Sequence, residues 1–327
     1  MNYDKFYKTF SELAEIRTAE PMKNHTTLRI GGPADTFCVP PSIELLCSML
    51  SFCKAEHIPC FVLGGGANVL VGDKGIRGVV LSTEALTGYS ITCTNTSCGL
   101  QTNTLSSAPG EPHAVVRAEA GLPIAHLAEI LAHEGWSGFE FTASLPGTLG
   151  GAVFMNARCY NHEIADILKC VQCYNPDTHS INSVERREHT WEYKRTPFMQ
   201  EGALASCIIV SAEFFITKRA PQDIYNEMNT YTQDRIAKGH FDYPSAGSMF
   251  KNNRAFGRPT GMILDELGFC GKRIGDAMVS PRHANIFVNA GNATAHDMLS
   301  LIKLAQEAAL KHFGFALEPE VVFIGEL

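Results

Sequence analysis

The sequence predicts an α+β fold in two parts, a strand-rich region with glycine turns followed by a smaller α+β region. Three observations carry this expectation. Short apolar runs bounded by glycine and proline recur at residues 36–39, 60–63, 78–81, 114–118, 167–174 and 207–216. After Pro221 the pattern changes to helical periodicity in "PQDIYNEMNTYTQDRIAKG", "RPTGMILDELG" and "TAHDMLSLIKLAQEAALKHFG". The chain has 327 residues, and single cores stop growing near roughly 250–300 residues. The expected division is 1–218, itself split near residue 59, and 219–327.

In chain order, "PMKNHTTLRIGGPADTFCVPPS" places turns around a short strand at 36–39. A helix is expected over 42–57, with Ile43, Leu46, Cys47 and Leu50 on one face and Pro59 as its stop. The strand at 60–63 feeds three glycines, and a second strand follows at 78–81. Residues 89–113, "YSITCTNTSCGLQTNTLSSAPGEPH", show no helical period and read as an exposed loop or irregular hairpin. The helix in "LPIAHLAEILAHEG" puts Ile124, Leu127, Ala128 and Leu131 on one stripe and leaves His126 and His133 off it, as surface histidines. In the second region "NIFVNA" and "EPEVVFIG" read as strands. Thr294 caps the long last helix and Gly314 ends it.

Composition narrows the function classes. Hydrophobic residues make up 45% and charged residues 19%, which is globular. A net charge of −7 argues against broad nucleic-acid binding. No apolar run approaches the roughly 20 residues of a membrane helix, and the polar "MNYDKFYKTFSELAEI" lacks a signal-peptide core. A cytoplasmic protein without membrane or nucleic-acid partners is expected. The eleven cysteines are an odd number, in mostly apolar contexts, and read as reduced core residues. Cys170 and Cys173 have metal-pair spacing, yet sit in an apolar strand-like run with no second pair nearby, so no metal is expected.

The stretch "FVLGGGANVLVGDKGIRGVVL" is the first candidate site. Gly64 and Gly66 fit the first two positions of a dinucleotide fingerprint, but Val69 stands at the third. Gly72, Gly75 and Gly78 then forbid the helix that the fingerprint requires, and no Gly-Lys-Ser/Thr closes a phosphate-binding P-loop. A plain turn between strands explains the glycines alone. A second stretch of the same character, "ASLPGTLGGAVFMNA", favours a cradle of backbone amides for a large phosphate-bearing cofactor.

"NHTTLRIGGPAD", "LGGGANVLVGD", "LPGTLGGAVFMNA", "PSAGSMFKN" and "LEPEVVFIG" occur, in this order, from about Asn24 to Gly325. In this the chain resembles the UDP-N-acetylenolpyruvoylglucosamine reductase (MurB) family, in its shorter type without an extra tyrosine-bearing loop. The resemblance implies a vanillyl-alcohol-oxidase/PCMH-type FAD-binding domain, a smaller substrate domain, and a last strand that returns to the first part of the chain. It implies non-covalent FAD, NADPH as hydride donor, and an enolpyruvyl UDP-sugar as substrate. Carried over by motif, Ser248 is the proton donor and Glu320 the glutamate that orients the intermediate, with Glu318 two residues away as a possible confusion. The family's catalytic arginine falls in "EYKRTPF", where either Lys194 substitutes or Arg195 shifts in; both remain open. FAD contacts carry over to Arg29, to Gly64, Gly65, Gly66, Ala67 and Asn68, and to Ser144, Pro146, Gly147, Gly150, Gly151 and Ala152. Asn252 matches a substrate-contacting asparagine. A different flavin oxidoreductase acting on a sugar or alcohol shares the upstream motifs; "SAGSMFKN" and "LEPEV" argue for the reductase.

Overall fold

The computed structural model describes residues 3–94 and 113–327. Helix α1 (Asp4–Phe10) seats Phe6 and Phe10 against Phe52 of α2 (Ile43–Ala55), with ring centres 5.9 and 5.3 Å apart. Ser42 starts α2 by accepting a hydrogen bond from Leu45 N at 3.2 Å. The strands β1 (Glu15–Pro21), β2 (Pro33–Val39), β3 (Cys60–Leu63) and β5 (Ile76–Ser82) form a sheet in the order β1-β2-β5-β3, with β5 parallel to both β2 and β3. Between β3 and β5 lies the short β4 (Val69–Val71), which the sequence does not reveal. It pairs in parallel with β18 (Val322–Ile324), so the end of the chain returns to its first third.

The central sheet is antiparallel. It contains β6 (Tyr89–Thr94), β7 (His113–Glu119), β11 (Leu168–Asn175), β12 (Ser180–Glu185) and β13 (Ile208–Lys218), in the order β12-β11-β13-β7-β6, with the two-residue β8 (Trp136–Ser137) beside β13. Of the two readings of 89–113, a loop or an irregular hairpin, the second fits the antiparallel pairing of β6 with β7. Tyr89, Ile91 and Thr92 are strand formers; the polarity of the stretch is that of an edge strand, whose faces remain largely in water. Residues 95–112 lie outside the described residues. A small hairpin, β9 (Arg158–Cys159) with β10 (His162–Glu163), precedes α5 (Ile164–Ile167).

Helix α3 (Ile124–His133) buries Ile124, Leu127, Ala128 and Leu131 against this sheet and leaves His126 and His133 exposed. Helix α6 (Pro221–Ala237) adds Ile224 and Met228 to the same core. The boundary expected near residue 218 falls between β13 and α6, yet by packing α6 goes with the upstream sheet.

The last part of the chain carries β14 (Ser245–Ser248), α7 (Thr260–Glu266), β15 (Arg273–Ile274), β16 (Ala277–Val279), β17 (Ile286–Asn289) and α8 (Ala295–Phe313), with a sheet in the order β14-β17-β16-β15. Thr294 Oγ1 accepts from Asp297 N at 3.0 Å, the Asp297 carboxylate accepts from Thr294 N at 3.1 Å, and Gly314 closes α8. Leu28, Ile30 and Leu70 share a buried cluster with Phe250, Phe287 and Leu301, which joins this part to the N-terminal one.

Candidate active site

One cleft of about 950 Å³ runs between these parts of the chain. Its floor includes the β3–β4 connection and the segment entering α4 (Leu149–Phe154). The two stretches touch through their glycines. A Cβ on Gly64 would stand 2.6 Å from Thr148 Oγ1, and one on Gly65 would stand 2.6 Å from Gly147 Cα. Where Gly65 meets Gly147 there is no room for a side chain, so the two backbones lie against each other there. Thr148 Oγ1 is buried with no hydrogen-bond partner among the described residues. An orphaned hydroxyl beside a bare backbone seam is what a phosphate-bearing cofactor would complete, so the residues present fit FAD. Gly64–Gly66, Ala67, Asn68, Pro146, Gly147, Gly150, Gly151, Ala152 and the exposed Arg29 all line the cleft; Ser144 does not.

The reacting end is built from three separate elements. Glu192 and Arg195 exchange backbone hydrogen bonds of 2.9 and 3.1 Å, so "EYKR" is a tight turn and not a strand. Lys194 sits in it with φ +54°, a left-handed conformation that costs a non-glycine residue roughly 1–2 kcal/mol. Its Nζ lies 2.7 Å from Glu320 Oε1, with the two side chains only 11% and 10% exposed. Arg195 is 72% exposed and faces Glu201 at 3.7 Å. Of the two cations that the sequence left open, Lys194 is the one in the cleft.

Glu320 is fixed by its backbone. Its N–H donates to Met249 O at 2.8 Å, and its C=O accepts from Asn68 Nδ2 at 3.0 Å. Glu318 turns away, 70% exposed, and pairs with Lys251 at 2.6 Å. Ser248 ends β14 and lines the cleft. Asn252 is not brought to the cleft. It is exposed, and its side-chain oxygen accepts from Thr260 N at 2.9 Å, holding the start of α7.

Four further residues matter that pattern reading missed. Asn156 is fully buried; it accepts from Ala165 N at 3.0 Å and donates to Glu192 O at 3.1 Å, which holds the turn presenting Lys194. Asn285 clasps both backbone groups of Phe250, at 3.0 and 2.8 Å, and so steadies the strand of Ser248. Arg158 and Arg235 line the cleft with Lys194 and Arg29. No local motif marks these four. Against the cations stand Glu320 and Asp242, the latter 3.4 Å from Arg282. His240 adds no charge at neutral pH: burial, then the nearby Arg235, push its pKa down to about 4. The cleft is thus cationic in a chain of net charge −7, and suits an anionic ligand. Among the described residues no group of three His, Cys, Asp or Glu is placed to hold a metal.

An FAD-binding-domain model matches residues 34–182, and a model of the UDP-N-acetylenolpyruvoylglucosamine reductase C-terminal domain matches 239–324. The backbone seam and the matched FAD domain define a flavin-dependent oxidoreductase with an FAD-binding domain of the PCMH type. UDP-N-acetylenolpyruvoylglucosamine reductases are similar over nearly the whole chain. That of Syntrophomonas wolfei is 38% identical, covering 95% of each chain, and that of Treponema denticola is 37% identical, covering 95% of this chain and 94% of its own. The crystal structure of the Thermus caldophilus enzyme aligns with a TM-score of 0.71 at 28% identity, covering 95% of this chain and 98% of its own. The chain belongs to the UDP-N-acetylenolpyruvoylglucosamine reductase family, flavoenzymes of peptidoglycan precursor synthesis that use FAD and NADPH.

Proposed function

We propose that this chain reduces the enolpyruvyl double bond of UDP-N-acetylglucosamine enolpyruvate to the D-lactyl ether of UDP-N-acetylmuramate, with Lys194, Glu320 and Ser248 as its reacting side chains. The observation that carries the reading is the enclosed Lys194–Glu320 pair, 2.7 Å apart, in the cleft that Ser248 also lines. Bound FAD, reduced by NADPH, supplies hydride to the β-carbon of the double bond. Negative charge then gathers on the α-carbon and the carboxylate, where it must be met by fixed positive groups. Lys194 meets it. An ammonium has three donors; the one spent on Glu320 leaves two for the substrate carboxylate. Glu320 orients that ammonium and the intermediate. Ser248 gives its hydroxyl proton to the α-carbon and is recharged from solvent. A serine hydroxyl is a poor acid, so the positive charges that line the same cleft must favour the alkoxide left behind.

The seam at Gly64, Gly65 and Gly147, with Thr148, would hold the FAD diphosphate, and Arg29, which lines the same cleft, would add a positive charge for it. The chain divides by function into an FAD-binding part, 1–218, and a substrate part, 219–327. It works in the cytoplasm on a soluble sugar nucleotide; no helix among the described residues is long and apolar enough to cross a membrane. Replacing Ser248 tests the reading. In stopped-flow absorbance, Ser248→Ala should leave flavin reduction by NADPH nearly intact and slow reoxidation by the enolpyruvyl substrate by about 10²–10⁴-fold. Equal slowing of both half-reactions would remove Ser248 from this role.

A further inference from the structure

The last sheet reaches into the cofactor side of the molecule through one buried amide that the roles above leave unused. Asn289, the final residue of β17, is 4% exposed. Its side-chain oxygen accepts from Gly291 N at 3.1 Å and from Ala293 N at 3.0 Å, in the turn before α8. Its side-chain nitrogen donates to Leu28 O and to Arg29 O, both at 3.3 Å. Two N–H groups on one side and two carbonyls on the other use the whole amide and fix which way it points.

The carbonyls it clasps belong to a turn of unusual backbone. Arg29 has φ +55°, a left-handed conformation that a non-glycine residue keeps only where its surroundings hold it. Arg29 N donates to Thr26 O at 3.1 Å, and Thr26 Oγ1 donates to Ile30 O at 3.0 Å, which closes the turn on itself. The turn also rests on the glycine stretch of the cofactor seam. Thr27 N donates to Gly66 O at 3.1 Å, and a Cβ on Gly66 would stand 2.0 Å from His25 O. The Arg29 side chain lines the cleft, and its guanidinium has no hydrogen-bond or ion-pair partner among the described residues. The backbone angle at Arg29 sets the direction in which its side chain leaves the chain, so whatever holds that angle aims the charge.

We propose that Asn289 is a positioning residue for the cofactor: by clasping the carbonyls of Leu28 and Arg29 it holds the left-handed turn that aims the Arg29 guanidinium at the FAD diphosphate. A residue of the substrate part thereby sets part of the affinity for FAD. The proposal rests on the reading that FAD occupies the seam and that Arg29 faces its diphosphate.

The test is equilibrium titration of the flavin-free, full-length protein with FAD at several salt concentrations. Asn289→Asp keeps the acceptor for Gly291 and Ala293 and loses the donor; Asn289→Ala loses both and adds no charge. Both variants should weaken FAD roughly ten-fold. Both should also flatten the salt dependence of FAD binding, because a guanidinium brought to a phosphate is screened by salt. In an Arg29→Gly background neither change should weaken FAD further, since no guanidinium is left to aim and glycine keeps a positive φ unaided. Asp73→Asn is the control. Asp73 ties the same two parts elsewhere, its carboxylate accepting from Ala295 N at 2.7 Å and His296 N at 3.0 Å. This variant should lower the melting temperature and leave FAD affinity within about two-fold of the parent, with its salt dependence unchanged. Equal losses of FAD affinity in Asp73→Asn and the Asn289 variants, or a full further loss in the Arg29→Gly background, overturns the proposal. If Arg29→Gly alone binds FAD like the parent, the reading that puts Arg29 at the diphosphate falls, and the proposal with it. If Arg29→Gly weakens FAD while both Asn289 variants bind it like the parent, that reading stands and the clasp falls.

Discussion

Lys194 keeps a left-handed backbone, at φ +54°, that glycine would adopt without cost. The turn is over-determined: Asn156 holds Glu192 O at 3.1 Å, and Thr196 Oγ1 donates to Phe154 O at 2.8 Å, so both ends are tied to the segment around α4. Strain retained at that point puts one ammonium against Glu320. Lys194→Ala would leave the Glu320 carboxylate enclosed and without its cation, and would remove the charge that meets the developing enolate. The expected loss in the oxidative half-reaction is about 10²–10³-fold, the usual effect of one lost transition-state donor. Arg195→Ala removes only an exposed contact of 3.7 Å and should change the rate less than about two-fold. Rapid-mixing measurement of flavin reoxidation in both variants checks this, and the reverse ordering would move the role to Arg195. The sequence could narrow the choice to these two residues but not make it. Which of two adjacent cations enters a cleft depends on the turn type, and a lysine in a left-handed conformation carries no local signal.

At the scale of elements, the two glycine stretches work as a pair because each lacks the side chain that would hold the other away. Gly65→Ala places a methyl 2.6 Å from Gly147 Cα, a backbone atom, closer than real Cβ contacts come, so one loop must yield. The purified variant should keep its far-ultraviolet circular dichroism and carry well under one FAD per chain by absorbance. Full occupancy would mean that the seam does not hold the cofactor. Here the sequence was more legible. Helices α2, α3 and α8 announce themselves by apolar periodicity, α2 also by the stop at Pro59 and α8 by its caps Thr294 and Gly314, all of which act within a few residues. The presence of two glycine stretches of the same character already points to a cradle. What stayed hidden depends on distant partners or on the reading of polarity. Strand β4 is three residues long and exists because β18 lies beside it. Strand β6 can be read as loop because it is an edge. Asn252 matches a motif, yet its side chain is spent on the first turn of α7.

At the scale of the whole molecule, the reacting centre closes only when the chain's end comes back to its beginning. Lys194 follows the central sheet's β12, Ser248 ends a strand of the last sheet, and Glu320 lies between the Phe250–Pro319 bridge and β18. Three backbone hydrogen bonds fasten that return: Val322 N to Asn68 O at 3.0 Å, Gly72 N to Ile324 O at 3.0 Å, and Glu326 N to Gly75 O at 2.9 Å. The first of these joins the FAD-side loop to the residue two beyond Glu320, so it couples the cradle to the position of the carboxylate. Val322 is 39% exposed, which allows the backbone bond to be tested apart from side-chain burial. Val322→Pro removes the N–H and sets a ring against the strand, a change that costs several kcal/mol in a paired strand. Val322→Ala keeps the bond. Below the melting temperature of both variants, Val322→Pro should retain flavin reduction by NADPH yet lose at least ten-fold in single-turnover reoxidation by the enolpyruvyl substrate, because Glu320 no longer holds Lys194 in place. Val322→Ala should stay within about two-fold of the parent. Equal reoxidation rates in the two variants would show that the returning strand contributes stability alone and that Glu320 is positioned by its bond to Met249.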